Sequence, residues 1–473
     1  MTHIWQSGRA LCAALVVASG LAACSDFKDN LLEAPDPDII DPTSVQSAAG
    51  ATALRTGALA GLRLATVGNG NAGTEGTWLL GGLLGDEWTT TSTFVQNDEV
   101  DERQVSLSNS SVDGSLRAIY RVPRAVDQAV ALLNKYKPLP ASDIGEMYFA
   151  KGFAFAQLAS DFCNGIPLSD SPGTEIKLGL PLTVTDVFKA ANAAYDSALA
   201  LANGTDTASV TITRASKIGE ARALLGISLA NAPQAAALVS GIPTAFTYNV
   251  TSSTASGANN NGIWNQGSSQ RRYGVGDSLQ GNARNILVKN NLPFFSVKDP
   301  RVPSTYSVSS KGDTTKAQDG LSFSITTTLW GQTSAMSVVN GVDARLIEAE
   351  AFLQAGDVTN MIKTLNTLRA TTIILSDKVT YTANALPALV DPGTPDARIN
   401  LLFREKAFWT FGRGERLNDL RRLIRQYGRT ADQVFPIGQH YRGTTFSTDV
   451  NLPITTGELN GNPNFKGCTD RNA

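Results

Sequence analysis

Apolar side chains recur every three or four residues along several long segments of this chain, and the segment that begins at residue 342 shows the pattern most clearly. Its first apolar stripe consists of Val342, Leu346, Ala349 and Leu353. A second stripe consists of Val358, Met361, Ile362, Leu365 and Leu368. This spacing is typical of amphipathic helices, and Gly356-Asp357 separates the two stripes. The segment therefore predicts two helices joined by a tight turn.

Similar helical patterns recur elsewhere in the chain. They cover residues 116–136, 144–162, 187–202, 214–231 and 398–428, the last of them divided near Gly412 to Gly414. A helix, a turn and a second helix within about 34 residues resemble a tetratricopeptide unit. The repeats are too irregular for a continuous solenoid. We expect a mainly α fold in which tetratricopeptide-like helix pairs form the scaffold.

Two regions interrupt the helical pattern. Residues 66–112 and 240–335 are rich in Gly, Thr, Ser and Asn, with aromatic residues embedded in them. Such a composition favours loops and short strands. Long loops in a compact domain often carry function. We expect these two inserts to form a loop-rich, partly irregular ligand-binding region on the helical scaffold.

The start of the chain has the layout of an export signal. An apolar run over residues 10–21 leads into Leu-Ala-Ala-Cys, which ends at Cys24, and the chain then turns polar. The run is too short to span a bilayer, which takes about 20 apolar residues. We therefore expect residues 1–23 to be a cleaved signal peptide. The small residues before Cys24 resemble a lipobox, which predicts acylation of that cysteine and attachment to a membrane. An ordinary signal peptide with a chance cysteine is the alternative.

The next segment, residues 24–45, has a different character. Prolines at 35, 37 and 42, together with several acidic residues, discourage regular structure and predict a tether. The rest of the chain is long enough for one large domain or two closely packed ones. We expect a single domain across residues 46–473.

Composition excludes several classes of function. The chain has 40 Lys and Arg residues against 42 Asp and Glu residues, so it is nearly neutral, and no basic stripe suggests nucleic-acid binding. After the leader there is no run of 18 apolar residues, so we expect no membrane-spanning helix. Only His440 remains after the leader, and there is no Gly-x-Ser-x-Gly motif. We expect neither a metal site nor a cofactor.

The cysteines predict one covalent cross-link. If Cys24 carries lipid, an exported chain retains only Cys163 and Cys468. An even pair of cysteines in an oxidising compartment favours a disulfide. Such a bond would tie the C-terminal tail to the helical body. Two buried free thiols are the alternative.

Four segments together resemble the SusD/RagB family of outer-membrane nutrient-uptake lipoproteins. They are the Leu-Ala-Ala-Cys site with its tether, the segment GEMYFAKGFAFAQLASDFCNGIPLSD, the pair ARLIEAEAFLQAGDV and TLNTLRA, and the segment REKAFWTFGRGERLNDLRRLIR with NLPITTGELNGNPNF near the end. The two parts of the fourth segment match the family pattern at Gly414, Arg416, Asp419, Leu420, Arg422, Pro453, Ile454, Glu458, Asn462 and Pro463. Arg413, the reversed order Arg404-Glu405, and Met361 depart from that pattern and indicate a divergent branch.

The resemblance implies a role as well as a fold. Members of the family are held on the cell surface of Gram-negative bacteria by a lipid on the outer membrane. They capture a nutrient, often an oligosaccharide, and pass it to a TonB-dependent β-barrel transporter of the SusC type. Catalysis is not implied, because capture needs only differential affinity and a release step.

Aromatic and polar residues in the two inserts are the candidates for ligand contact. The apolar CH faces of a sugar stack on aromatic rings, while polar side chains reach its hydroxyl groups. The candidates are Asp86, Trp88, Phe94, Trp264, Arg272, Tyr273 and Trp330. The alternative for each residue is that it fills a gap in the protein core.

The charged cluster over residues 404–422 suggests a structural role instead. Arg416, Asp419 and Arg422 follow one another at three-residue spacing, which places them on one helix face and favours salt bridges. No motif indicates the carboxylate pair of a glycosidase. A surface glycan-degrading enzyme and a helical-repeat scaffold that binds only proteins are the alternative functions.

Overall fold

The computed structural model describes residues 46–69, 74–170 and 176–473. The predicted leader, the lipidation site at Cys24 and the tether lie outside the described residues. In the part that is described, no helix is both long enough and apolar enough to cross a membrane.

Helices make up most of the regular structure. The described residues form α1 (Ala48–Val67), α2 (Thr77–Gly85), α3 (Val95–Asp101), α4 (Ser110–Tyr136), α5 (Ala141–Asp161), α6 (Val184–Leu201), α7 (Thr207–Ile227), α8 (Ala232–Val239), α9 (Gly262–Trp264), α10 (Gly341–Gln354), α11 (Val358–Arg369), α12 (Pro395–Trp409), α13 (Arg416–Arg425), α14 (Ala431–Val434) and α15 (Thr456–Gly461). Every segment that the apolar pattern predicts to be helical is helical. The prediction of a mainly α fold is confirmed.

The strands are short and pair only two at a time. They are β1 (Trp88–Thr90), β2 (Ile166–Pro167), β3 (Pro181–Leu182), β4 (Thr247–Val250), β5 (Tyr273–Val275), β6 (Leu279–Gln280), β7 (Ile286–Leu287), β8 (Ser304–Tyr306), β9 (Ile325–Thr327), β10 (Met336–Asn340), β11 (Ile373–Ile374) and β12 (Thr380–Tyr381). The antiparallel pairs are β1 with β5, β2 with β3, β4 with β10, β6 with β7, β8 with β9, and β11 with β12. Six of these twelve strands, β4 to β9, lie in the second insert, whose composition favours short strands.

Side chains at the helix starts explain why the predicted helix pair begins and breaks where it does. The Asn340 side chain accepts hydrogen bonds from the N–H groups of Val342 and Asp343 and starts α10. Gly356 has a φ of 71°, a left-handed conformation that favours glycine, just after α10. The Asp357 side chain then accepts a hydrogen bond from the N–H of Asn360 and starts α11.

Small residues let the long helices pack closely. Helix α6 packs against both α5 and α7. Tyr195 of α6 is fully buried, and its ring lies against Gly152 of α5 and Gly219 of α7. A Cβ atom at Gly219 would lie only 2.5 Å from Cζ of Tyr195, so no side chain fits there.

The first insert differs from the prediction of loops and short strands. It contains α2 and α3 as well as β1. All nine residues of α2, TWLLGGLLG, are buried, so the helix is apolar on every side and shows no stripe in the sequence. The glycines that suggest a loop make room for neighbours instead. A Cβ atom at Gly82 would lie 2.7 Å from the Trp88 ring.

A disulfide ties the C-terminal tail to the end of α5, the pairing that the sequence favours. The Sγ atoms of Cys163 and Cys468 lie 2.02 Å apart. Beside it, the Asn164 side chain donates a hydrogen bond to Asp470 (2.9 Å). The Arg471 guanidinium donates to the Asn451 side chain (2.7 Å). Covalent and polar contacts together hold the tail against the helical body.

Buried charges join the elements of the fold in a network that we call the ionic frame. It consists of Asp86, Asp299, Arg301, Asp343, Glu350, Glu405, Lys406, Arg413, Arg416, Asp419 and Arg422. Each cation of the frame meets a carboxylate from a distant part of the chain. A buried charge is tolerated only when it is paired in this way. The predicted structural role of the charged cluster is confirmed, although Arg416 pairs with Asp86 rather than with Asp419.

Glu350 is the centre of the frame. Its carboxylate accepts hydrogen bonds from Lys406 (3.1 Å) and from Nη1 of Arg422 (3.2 Å), and it is fully buried. Burial alone would raise the pKa of Glu350, but the charges of Arg422 and Lys406 outweigh burial and lower it. The carboxylate is therefore ionised at neutral pH and holds α10, α12 and α13 together.

Replacing Glu350 with Gln should lower the free energy of unfolding by about 3 kcal/mol, because two buried cations, Lys406 and Arg422, then share the single carboxylate of Asp419. Since the folded pKa of Glu350 lies below its ordinary value, its stabilisation is present above about pH 4.5 and is lost as the pH falls. Urea unfolding of the wild type and Glu350→Gln at several pH values measures both effects. Asp391→Asn, which breaks the exposed pair with Arg398, is the control and should change stability much less. Equal losses in the two variants would contradict this role for the frame.

Candidate functional site

A cavity of about 270 Å³ lies between β4, β10, β11 and the end of α12, and we call it the aromatic cavity. Five aromatic side chains line it: Phe246, Trp330, Phe408, Trp409 and Phe411. Polar side chains also contribute to its lining: Thr244, Thr247, Asn340, Thr371 and Thr372. Its volume is just below the range of about 300–1,000 Å³ that is common for pockets that bind drug-sized molecules. The cavity is suited to a small ring-shaped molecule with both apolar faces and polar edges.

The end of α12 supplies one wall of the cavity. Phe408 and Trp409 lie in the last turn of the helix, and Phe411 follows it. The chain then turns through Gly412, whose φ of 69° favours glycine. A Cβ atom at Gly412 would lie 2.7 Å from the Trp330 ring. The glycine therefore lets the edge of the Trp330 indole approach the backbone of this turn closely.

The β11–β12 hairpin closes another side of the cavity. The Ser376 hydroxyl of the hairpin donates a hydrogen bond to the carbonyl of Leu329, next to Trp330. The Tyr381 ring meets the Trp409 ring edge to face, with centroids 5.0 Å apart. The indole N–H of Trp409 is buried and has no acceptor among the described residues.

The mouth of the cavity is open to solvent. Ala245, Thr247 and Thr372 at its edge are exposed. Ile374 is 73% exposed although it is a large apolar residue. An exposed isoleucine beside an aromatic-lined opening is available to pack against a bound molecule.

Two arginines line the cavity, but both are neutralised by carboxylates. Arg413 donates two hydrogen bonds to Asp343, at 2.9 and 2.7 Å. Arg301 forms ion pairs with Asp299 (2.7 Å) and Glu405 (2.8 Å). Among the described residues that line the cavity there is no aspartate or glutamate. The wall is therefore polar in places, yet it offers a ligand no unpaired charge.

A second, narrower crevice lies beside β5 and β6. Tyr306, Phe323 and Tyr441 are among the residues that line it. Its volume of about 40 Å³ accommodates a few water molecules but not a sugar ring. We therefore take the aromatic cavity as the candidate site.

Of the seven candidate residues from the sequence, only Trp330 lines the aromatic cavity. Three of the others lie in the interior and are out of reach of a ligand, which corrects the prediction. Asp86 is 3% exposed because it belongs to the ionic frame, and Trp88 is 2% exposed because it packs on Phe411 with ring centroids 4.8 Å apart. Tyr273 is fully buried and accepts a hydrogen bond from Asn97.

The remaining three candidates do not line the cavity. Phe94 is 38% exposed, and the Arg272 guanidinium covers one face of its ring at 4.5 Å. Trp264 is half-buried at the end of α9. Ligand contact by these three residues stays a prediction from the sequence.

The sequence also contains cavity residues that its pattern did not identify. Phe408, Trp409 and Phe411 belong to the run FWTF, which has the spacing of buried helix residues. The one signal in the sequence is the Gly412-Arg413-Gly414 turn, which ends the helix directly after this aromatic run. Phe246 comes from a segment about 160 residues earlier, and no local pattern relates it to the run.

A buried glutamate supports the wall from behind. Oε1 of Glu87 accepts a hydrogen bond from the N–H of Gly412 (2.8 Å), and the side chain is fully buried. Burial raises the pKa of Glu87 to about 8, against the opposing effect of the Gly412 hydrogen bond. At neutral pH the group is therefore mostly protonated, and it fixes the turn against which Trp330 packs.

Comparisons with known proteins find similarity at the level of structure. Neither a scan against protein-family models nor a search of curated proteins finds a match. A SusD superfamily protein from Bacteroides fragilis has a TM-score of 0.62 and 16% identity, covering 89% of this chain and 99% of its own. A SusD-like carbohydrate binding protein from Bacteroides vulgatus has a TM-score of 0.58 and 13% identity, covering 89% and 97%. Bacteroides fragilis NanU has a TM-score of 0.56 and 13% identity, covering 92% and 100%.

Glu87→Gln should remove part of the pH dependence of stability. Since the folded pKa of Glu87 is about 8 and its ordinary value is 4.5, the wild type loses stability as the pH rises between these values. Gln keeps an acceptor for Gly412 and stays neutral, so the variant should gain stability relative to the wild type from pH 5 to pH 9. Urea midpoints across this range measure the difference. A constant difference between the two proteins would contradict a protonated Glu87.

Proposed function

The chain has the fold of the SusD superfamily, and on that premise we propose that it is a nutrient-binding lipoprotein whose aromatic cavity holds a neutral sugar. The protein captures a mono- or disaccharide unit, free or at the end of a longer glycan. It then delivers this cargo to a TonB-dependent β-barrel transporter of the SusC type in the outer membrane.

One observation carries the proposal: five aromatic rings surround a cavity of about 270 Å³ in which every lining arginine is neutralised. The apolar face of a pyranose ring stacks on an indole such as Trp330. Its hydroxyl groups exchange hydrogen bonds with the threonine and asparagine side chains that line the cavity. A mixture of apolar walls and few convergent polar groups is typical of small-molecule sites.

The fold comparison supports the choice of a sugar. One structural neighbour is described as a carbohydrate binding protein, and it matches nearly its whole length to this chain. The lipobox-like sequence at Cys24 supports attachment to the outer membrane on the cell surface. Delivery to a transporter then requires only that the partner's opening releases the bound sugar.

The lining of the cavity argues against the glycosidase alternative. A glycosidase needs two carboxyl groups about 5–10 Å apart on either side of the scissile bond. No carboxylate is among the described residues that line the cavity. The proposed activity is therefore binding without cleavage.

Calorimetric titration of the mature protein with a glycan panel should detect a neutral mono- or disaccharide. Ala245→Trp should abolish this binding, because the large side chain fills the mouth without removing a wall. Trp330→Leu should weaken binding about tenfold or more, equivalent to ~1.4 kcal/mol or more, because a stacking face is lost.

Phe94→Ala is the matched control, since it removes an aromatic ring outside the cavity and should leave binding unchanged. Thermal unfolding of each variant checks that it is folded. If Phe94→Ala abolishes binding while Ala245→Trp does not, the sugar binds on the outer loop surface and the cavity proposal is wrong.

Mass spectrometry of the native protein should find Cys24 as an acylated first residue. Cys24→Ser should move the protein from the outer-membrane fraction to the soluble fraction, because the acyl chains provide the attachment. An acyl-free N-terminus in native material, or membrane attachment that survives Cys24→Ser, would contradict the proposed anchor.

A further inference from the structure

Helix α13 carries two arginines whose positive charges are not matched by the ionic frame. Arg421 and Arg425 are four residues apart, so they lie on the same face of the helix, one turn from each other. Arg421 is fully buried, while Arg425 is half-buried and lies nearer to solvent. The pair lies beside the end of α5.

The hydrogen bonds of these guanidinium groups are incomplete. Nη1 of Arg421 donates to the carbonyls of Ala159 (3.0 Å) and Ser160, in the last turn of α5. Its Nε and Nη2 atoms are buried and have no acceptor among the described residues. The same holds for Nε and Nη2 of Arg425. No other described arginine has two buried nitrogen atoms without a partner.

The other arginines of α13 show how a buried cation is normally accommodated here. Arg416 pairs with Asp86, and Arg422 pairs with Glu350. Arg421 and Arg425 have no carboxylate within ion-pair distance in the described part of the chain. Burial, and then the charge of Arg425, lower the pKa of Arg421 to about 9, so both groups are still charged at neutral pH.

Two acidic groups, Asp161 and Asp470, reach Arg421 electrostatically, but neither forms an ion pair with it, and Oδ1 of Asp161 has no hydrogen-bond partner among the described residues. Asp161 accepts a hydrogen bond from Gln157 (2.8 Å), and burial raises its pKa to about 7. Asp470 accepts hydrogen bonds from Asn164 and from the N–H of Asn472. Their compensation of the two cations is therefore partial. A bound water molecule or ion is one way in which a native protein satisfies such buried polar groups.

We propose that Arg421 and Arg425 bind an oxyanion, a phosphate, sulfate or carboxylate group, at the junction of α5, α13 and the C-terminal tail. Guanidinium groups present N–H donors in a fork that matches the oxygens of these anions. Water can accept the same hydrogen bonds, but it leaves two like charges uncompensated. This site uses no residue of the aromatic cavity and does not depend on the proposed function.

Binding is tested with the mature protein and three sodium salts: phosphate, sulfate and glucuronate. Calorimetry and thermal unfolding are carried out at constant ionic strength, with chloride as the balancing anion. At least one of the three anions should bind and raise the unfolding temperature with increasing concentration. If only phosphate and sulfate bind and raise the unfolding temperature, the site is specific for tetrahedral oxyanions. If glucuronate does so as well, the site also accepts carboxylates.

Arg425→Gln should weaken this binding about tenfold or more, because it removes one of the two forks. The substitution breaks no hydrogen bond that the described residues make, so the variant should fold. Arg425→Lys keeps the positive charge but lacks the forked guanidinium group. Its affinity for the anion should therefore lie between the affinities of the wild type and Arg425→Gln. Arg429→Gln, which removes the same charge from the pair with Asp396, is the matched control and should bind like the wild type.

Two results would overturn the proposal. One is that none of the three anions stabilises the wild type more than chloride does. The other is that the three anions stabilise Arg425→Gln as strongly as they stabilise Arg429→Gln. A crystal grown in sulfate should further show density between the guanidinium groups of Arg421 and Arg425, and a water molecule alone at that position would also count against an anion site.

Discussion

The pairing of buried charges is the constraint on which the rest of this structure depends. Helices α12 and α13 carry cations into the interior, and each cation of the ionic frame needs a carboxylate from a distant part of the chain. Asp86, for example, meets Arg416 across 330 residues of sequence. Satisfying these pairs fixes the first insert, α10 and the end of α12 relative to one another. The ionic frame therefore joins segments that are distant in sequence, rather than stabilising individual helices.

The same constraint determines the chemistry of the candidate site. The cavity aromatics Phe408, Trp409 and Phe411 lie on the segment that carries the frame, so the walls of the cavity are as fixed as the frame itself. Neutralisation of Arg301 and Arg413 leaves the cavity without free charge, which favours a neutral ring-shaped ligand. Where pairing is incomplete, at Arg421 and Arg425, the protein can accept an anion instead. One rule about buried charge therefore accounts for both proposed sites.

Local patterns in the sequence predict the helical scaffold well, because the spacing of apolar residues along an amphipathic helix identifies the face that is buried. The helix pair α10 and α11, with its break at Gly356-Asp357, is a direct example. Helix α2 could not be predicted in this way, since it is buried on all sides and has no polar face. The disulfide follows from a count of cysteines and their compartment, which involves no three-dimensional information.

The candidate site is harder to predict, because distant segments build it. Trp330 was identified from its loop composition, but Trp88 and Tyr273 have the same composition around them and are buried. What separates them is packing between distant segments: the Trp88 ring is covered by Phe411, whereas Trp330 lines the cavity. The most direct test of the account is a crystal structure with the sugar that titration identifies. We predict its ring in the aromatic cavity against Trp330 and Trp409; a sugar bound over Phe94, with the cavity empty, would contradict the account.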